Sequence, residues 1–155
     1  MTCTLIPLTD INSLMSWRHE VIRAVFGINS SPELLEANRK YYEAHITDGS
    51  HIAVVATLGK AETGCGAICL TDELPSPDNP SGRCAYLMNI YVRPQYRSQG
   101  IGHEIVKHLV NKARQLGCDK IYLETTAQAR SLYSSIGFTE LPGILKYADI
   151  RSTSS

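Results

Sequence analysis

The sequence has no C-x-x-C pair, no net charge and no long apolar run, and each absence removes a class of function. Five cysteines, Cys3, Cys65, Cys69, Cys84 and Cys118, are odd in number and wrongly spaced for a disulfide framework or a zinc knuckle. Reduced, mostly packed thiols are expected instead. Fifteen basic side chains balance 15 acidic ones, so no field recruits nucleic acid or an anionic membrane. No segment offers the roughly 18 uninterrupted apolar residues of a membrane span. The opening "MTCTLIPLTD" shows neither a basic leader nor a small-residue cleavage site, which makes cytoplasmic placement the expectation. Two stretches fall short of a metalloprotease helix. "HEVIR" from His19 lacks a second histidine, and "HEIVKH" from His103 brings His108 one position late, roughly 100° round the helix from a shared ligand face. No metal is expected.

What is present fits one domain of ordinary size. With 155 residues and 43% hydrophobic content the chain can fill a single core, expected over residues 1–150, with a polar tail at 151–155. "CTLIPL" reads as a short strand. Asp10 caps a helix whose apolar positions Leu14, Trp17, Val21, Ile22 and Val25 recur at helical spacing. Ser31, Pro32 and Glu33 open a second helix running to about His45, with a cap, a first-turn proline and an early acid. The period then changes. "HIAVVATL" and "GCGAICL" form a hairpin across "GKAET", and "DELPSPDNPSGR" is a long proline-rich loop. "CAYLMNIYV" is a third long strand, residues 101–116 a helix, "KIYLET" a strand, residues 129–136 a helix ended by Gly137, and "LKYADI" a last strand.

Strand, turn, helix and strand in succession from "CAYLMNIYV" to "KIYLET" is a crossover, so those two strands should lie parallel. The turn between them, "VRPQYRSQGIGHE", then stands at the carboxyl end of a parallel pair, where ligands favour an α/β sheet. Ile101, Ile105, Val106, Leu109, Val110 and Ala113 put one apolar stripe on the sheet and leave the first turn of that helix free. Its unpaired N–H groups and positive dipole end suit an anion. Gly100 and Gly102 let a phosphate reach the main chain, and Arg97 adds a fork for its oxygens. Three phosphate motifs compete here. A P-loop needs a lysine and a hydroxyl after the glycines, and neither follows. A dinucleotide fingerprint needs a third glycine where Ile105 stands, although Glu124 lies at a suitable distance downstream to hold a ribose.

The third motif is more specific. "RSQGIG", Arg97 to Gly102, matches the [Q/R]-x-x-G-x-[G/A] acetyl-CoA signature of the GNAT N-acetyltransferase superfamily, and "ARSLYSSIGF", Ala129 to Phe138, resembles that family's A-x-x-L-Y-x-x-x-G-F segment. The order of elements resembles a GNAT domain over essentially the whole chain. This resemblance implies an α/β (α+β) GNAT fold. Its central sheet is mixed, mostly antiparallel and twisted, with a parallel pair splayed to admit coenzyme A and helices on both faces.

It also implies a chemistry, acetyl transfer from acetyl-CoA to a primary amine by direct attack. A bulge in "MNIYV" would open the gap, and Ile90, Tyr91 and Val92 would pair with the pantetheine arm. The pyrophosphate would rest on the amides of Arg97, Ser98, Gln99, Gly100, Ile101 and Gly102. Thr126 stands where the family often has asparagine, three residues before Ala129, and both are placed at the cofactor. Tyr133 matches the usual general acid, its phenol protonated near neutral pH. A strand amide near Asn89 or Ile90 would hold the oxyanion. Glu20 is a candidate base and Asn89 a candidate acceptor contact. Val25 to Pro32, Tyr41, Tyr42 and "ELPGILKY" would shape the acceptor pocket, with a small-molecule or peptide amine as partner and a homodimer left open. A non-catalytic acyl-CoA-binding module on the same fold is the alternative. A branched side chain at Gly100 is expected to weaken cofactor binding far more than folding.

Overall fold

The computed structural model describes residues 2–148. Five strands form one sheet in chain order: β1 (Thr4–Pro7), β2 (His51–Leu58), β3 (Ala61–Asp72), β4 (Arg83–Val92) and β5 (Lys120–Tyr122). The first three pairings are antiparallel, and β4 with β5 is parallel, as the crossover through the intervening helix requires.

Alternation along the strands sorts the core into two layers. On one face α1 (Ile11–Phe26) and α2 (Pro32–Thr47) cover Ala53, Val55, Cys65 and Ala67 with Leu14, Trp17, Val21 and Tyr42. On the other, α3 (Ile101–Gln115) and α4 (Arg130–Ile136) cover Val54, Ala56, Ile68, Ala85 and Leu87. The α3 stripe is as read, with Ile101, Ile105, Val106, Leu109 and Ala113 all buried, while Val110 is only half-buried at its margin. Helix starts follow from local chemistry. Asp10 accepts a hydrogen bond from the Ser13 amide, and Ser31 accepts one from Leu34. Three of the five cysteines, Cys65, Cys84 and Cys118, are buried. No described helix is long and apolar enough to cross a membrane.

Three boundaries differ from the expectation. β3 begins at Ala61, so the first hairpin turns on Gly59 and Lys60 alone. β5 stops at Tyr122 and not at Thr125. Residues 145–148 of "LKYADI" carry no strand, and its last two residues, like the tail at 151–155, lie outside the described residues. The last two differences share a cause. A strand needs a ladder partner, and neither residues 123–125 nor residues 145–148 have one among the described residues.

His51, only 4% exposed, lies under α2 within hydrogen-bond distance of the Tyr41 hydroxyl, 2.8 Å from Nδ1. Burial, with the charges of His45 and Arg18, pushes its pKa from 6.5 down to about 4. Between those values the unfolded chain binds a proton that the folded chain refuses. The stability this site contributes is therefore complete above about pH 6.5 and disappears as pH falls through 4, a loss of roughly 3 kcal/mol. Thermal melts from pH 7 to pH 4 should show this slope in the wild type and a shallower one in His51→Gln, which does not titrate. Equal slopes would show that His51 is not held neutral.

Candidate active site

The site begins with one extra residue in β4. Ala67 pairs with Met88 and Cys65 with Tyr91, so two steps along β3 match three along β4. Asn89 absorbs the difference with φ +58°, a left-handed conformation that asparagine tolerates better than other side chains. The bulge resets which side chains face which layer. Leu87 lies in the α3-side core, and after the bulge Ile90 and Val92 return to that side. Met88 and Tyr91 pack on the α1 side, and Asn89 meets Arg18 of α1, whose Nη1 donates to Asn89 Oδ1 at 2.7 Å.

The same bend opens the sheet. β4 and β5 pair only from Cys84 with Lys120 to Tyr86 with Tyr122. Beyond that point β4 continues to Val92 paired with β3 but with no strand on its β5 side, and the chain after Tyr122 leaves the ladder. The splay is thus a gap between main chains, and at its closed end Tyr86 and Tyr122 pack with ring centres 5.1 Å apart and planes tilted by 46°, the Tyr86 hydroxyl donating to Glu124 Oε1 at 3.3 Å.

At the mouth of the gap stands the turn before α3. Pro94–Tyr96 is a 3-10 turn, and Ser98 and Gly100 adopt φ +65° and +82°. Gly100 is the N-cap of α3 and no side chain caps this helix, so the first amides of α3 point outward without an intrahelical acceptor. A Cβ built on Gly100 would meet nothing within 4 Å, which leaves the main chain open to an approaching ligand. The positive φ corrects one expectation. Gly100→Val meets backbone strain of about 1–2 kcal/mol there, so it lowers stability as well as access.

Arg97 bends back, with Nε donating to Val92 O at 2.9 Å and its guanidinium 5.8 Å from the centre of the Tyr91 ring. Its positive charge stays on the splayed strand. Across the gap, Thr126 Oγ1 accepts the amide of Ala129 at 3.3 Å and so starts the turn into α4. The Thr126 O–H remains free to donate. Leu132 of α4 lies 3.5 Å from a Cβ built on Gly102, with Val92 at 3.7 Å, which brings α4, α3 and β4 together at this corner. The next residue, Tyr133, is 9% exposed and packs edge-on against Phe138. Burial raises its pKa, keeping the phenol protonated.

Glu20 is held in an ion pair. Both its oxygens accept from Arg93, from Nε and Nη2 at 2.9 Å each, and the same guanidinium lies 4.4 Å over the ring of Trp17. This bidentate pair ties α1 to the end of β4 and occupies the carboxylate. Tyr42 is buried beneath α2 as core, and Tyr41 bonds inward to His51, so neither is a free acceptor-pocket wall. A large cavity of about 970 Å³ runs along the outer edge of β5 between Tyr122, Tyr133 and residues 139–144. It does not include the turn before α3. Among the described residues no cluster of histidine, cysteine or acid is placed to hold a metal.

Sequence reasoning overlooked Arg18 and Arg93. Arg18 left a signal, a cation inside the apolar stripe between Leu14 and Ile22, whereas nothing local marks Arg93 as the partner of Glu20.

Residues 13–138 match the family model described as the acetyltransferase (GNAT) family. The chain belongs to that family. The thialysine N-epsilon-acetyltransferase of Sus scrofa is 34% identical over 95 residues, covering 47% of this chain and 56% of that protein. The [ribosomal protein bS18]-alanine N-acetyltransferase of Escherichia coli K12 is 39% identical over 59 residues, 36% of this chain and 40% of that one. The chain thus spans about half or less of the length of these curated relatives. A solved structure described as a predicted acetyltransferase with acetyl-CoA, from Clostridium acetobutylicum, superposes with a TM-score of 0.84 at 23% identity over 95% of this chain and 96% of that one. That likeness shows the fold.

Proposed function

We propose that this chain is an acetyl-CoA-dependent N-acetyltransferase that moves the acetyl group to a primary amine by direct attack. The observation that carries the reading is the coincidence of two vacancies at one place, an unpaired stretch of β4 and an uncapped helix start. The named relatives act on thialysine and on the alanine of a ribosomal protein, which supports an amine as acceptor.

When bound, acetyl-CoA supplies an activated thioester. The chain's own groups do the rest. Main-chain groups of Ile90, Tyr91 and Val92 pair with the extended pantetheine as a further strand would. The amides from Arg97 to Gly102 take the pyrophosphate, with the positive end of α3 behind them. A strand amide at the bulge, at Asn89 or Ile90, donates to the carbonyl oxygen as charge builds there. Tyr133 would give its proton to the departing sulfur, and the proton lost by the attacking nitrogen would pass to water and restore the phenol.

Incubating the purified chain with acetyl-CoA and a mixed panel of amines, with free thiol as readout, tests the reading. Amine-dependent thiol release is expected. Coenzyme A binding with no release across the panel would make the domain a non-catalytic binding module.

Gln99 gives a clean probe of the pyrophosphate position, because it is exposed and has ordinary backbone geometry. Gln99→Glu adds one negative charge without changing shape. It should leave the melting temperature unchanged and weaken coenzyme A by about fivefold to tenfold at low salt, with the penalty shrinking as salt screens it. Unchanged affinity at low salt would move the pyrophosphate away from this turn.

A further inference from the structure

Arg18 stands in the wrong company for a helix surface. Leu14 precedes it by one turn and Ile22 follows it by one, both buried, so its stem lies in the apolar stripe that α1 turns toward the sheet. Its head reaches the bulge and donates from Nη1 to Asn89 Oδ1. Among the described residues it forms no salt bridge. The acids that could serve are engaged elsewhere, Glu20 with Arg93 and Glu124 with the Tyr86 hydroxyl. A half-buried guanidinium held by one neutral amide keeps its remaining N–H donors available for an arriving anion. Its field reaches the surrounding groups, since it pulls against the burial-driven rise of Tyr42, Cys65 and Cys69. The other charges on this face, Glu20 and Arg93, neutralise each other, which leaves Arg18 as the cation without an acidic partner among the described residues. That face is the α1 side of the splay, and Asn89 is the bulge residue three positions beyond the last β4–β5 pair.

We infer that Arg18 is the acceptor-recognition residue and that the amine acceptor carries an oxyanion, a carboxylate or a phosphate monoester, which the free donors of Arg18 bind. The inference rests on the acetyltransferase reading above. The planar fork of arginine matches both oxyanions, and Asn89 fixes its orientation through one nitrogen while leaving the others for ligand. An anion held there lies beside the bulge, so an amine a few bonds away on the same molecule faces the gap where the thioester carbonyl would lie.

The test uses acceptor pairs that differ only in the anion: lysine against cadaverine, alanine against alaninamide, and phosphoethanolamine against ethanolamine. The first two pairs report a carboxylate and the third a phosphate. In the wild type the charged member of at least one pair should be preferred by roughly tenfold or more in kcat/KM, the scale of a charge-assisted bidentate contact. Arg18→Met keeps the stem and suits the apolar stripe, so the fold is retained. It should abolish the preference by raising KM for the charged member far more than for the neutral one, with coenzyme A affinity unchanged. Equal use of both members of every pair by the wild type, or a preference that survives in Arg18→Met, overturns the inference while leaving acetyl transfer intact. If coenzyme A binds but no amine is acetylated, calorimetric titration of the coenzyme A complex with N-acetyllysine and phosphoethanolamine decides. Binding of either one that is lost in Arg18→Met supports the anion site, and no binding of both overturns it. Failure to bind coenzyme A at all removes the acetyltransferase reading and this inference together.

Discussion

Tyr133→Phe should lower turnover roughly 10²-fold or more while coenzyme A affinity and melting temperature stay close to wild type. The substitution keeps the ring, its edge-on contact with Phe138 and its place in the α3-side core. It removes one proton. A purely structural tyrosine would behave in the opposite way, because deleting a buried hydroxyl that satisfies a protein acceptor costs about 1–3 kcal/mol. Among the described residues the Tyr133 hydroxyl has no such acceptor, and Tyr133 lines the cavity beside β5. Its pKa is raised by burial, so the phenol is a proton donor throughout the neutral range. Turnover, affinity and melting should be measured on one preparation. Normal turnover in a destabilised variant would assign Tyr133 to packing and leave proton delivery to water.

Gly64→Ala should be the most damaging single-methyl change near the site. A Cβ there would lie 2.6 Å from the carbonyl oxygen of Tyr91 and 3.2 Å from the Cα of Val92, and both obstacles are backbone. Flexible side chains cannot yield to relieve it, so β4 must move. Gly64 pairs with Val92, at the very end of the stretch that borders the splay. The expected cost is about 1–3 kcal/mol, or some 3–10 °C in melting temperature for a chain of this size. Coenzyme A affinity should fall with it, since displacing Tyr91 and Val92 disturbs the edge offered to the pantetheine. A variant that melts and binds like wild type would contradict the β3–β4 register on which the site depends.

Features set by short-range chemistry were readable. Asp10 and Ser31 cap the helices they were expected to cap, and "HIAVVATL" is β2 from end to end. The turn before α3 was placed at the carboxyl end of a parallel pair because strand, helix and strand in that order allow little else. Features set by a distant partner were not readable. "KIYLET" has strand composition throughout, but only Lys120–Tyr122 finds β4, because the bulge at Asn89 carries β4 away. "LKYADI" has the same composition, and over residues 145–148 no edge receives it. The positive φ at Gly100, the return of Arg97 to Val92 and the engagement of Glu20 by Arg93 depend on neighbours far away in sequence. Arg18 is the intermediate case. Its place in the apolar stripe was visible, and its target was not.

The central claim is that the unpaired end of β4 and the uncapped start of α3 form one site for coenzyme A. Calorimetric titration of the chain with coenzyme A, with NAD run in parallel, tests it most directly. The account predicts saturable binding of one coenzyme A per chain, a rise in melting temperature with ligand, and no heat from NAD. Binding of NAD without binding of coenzyme A, or silence toward both, would contradict it.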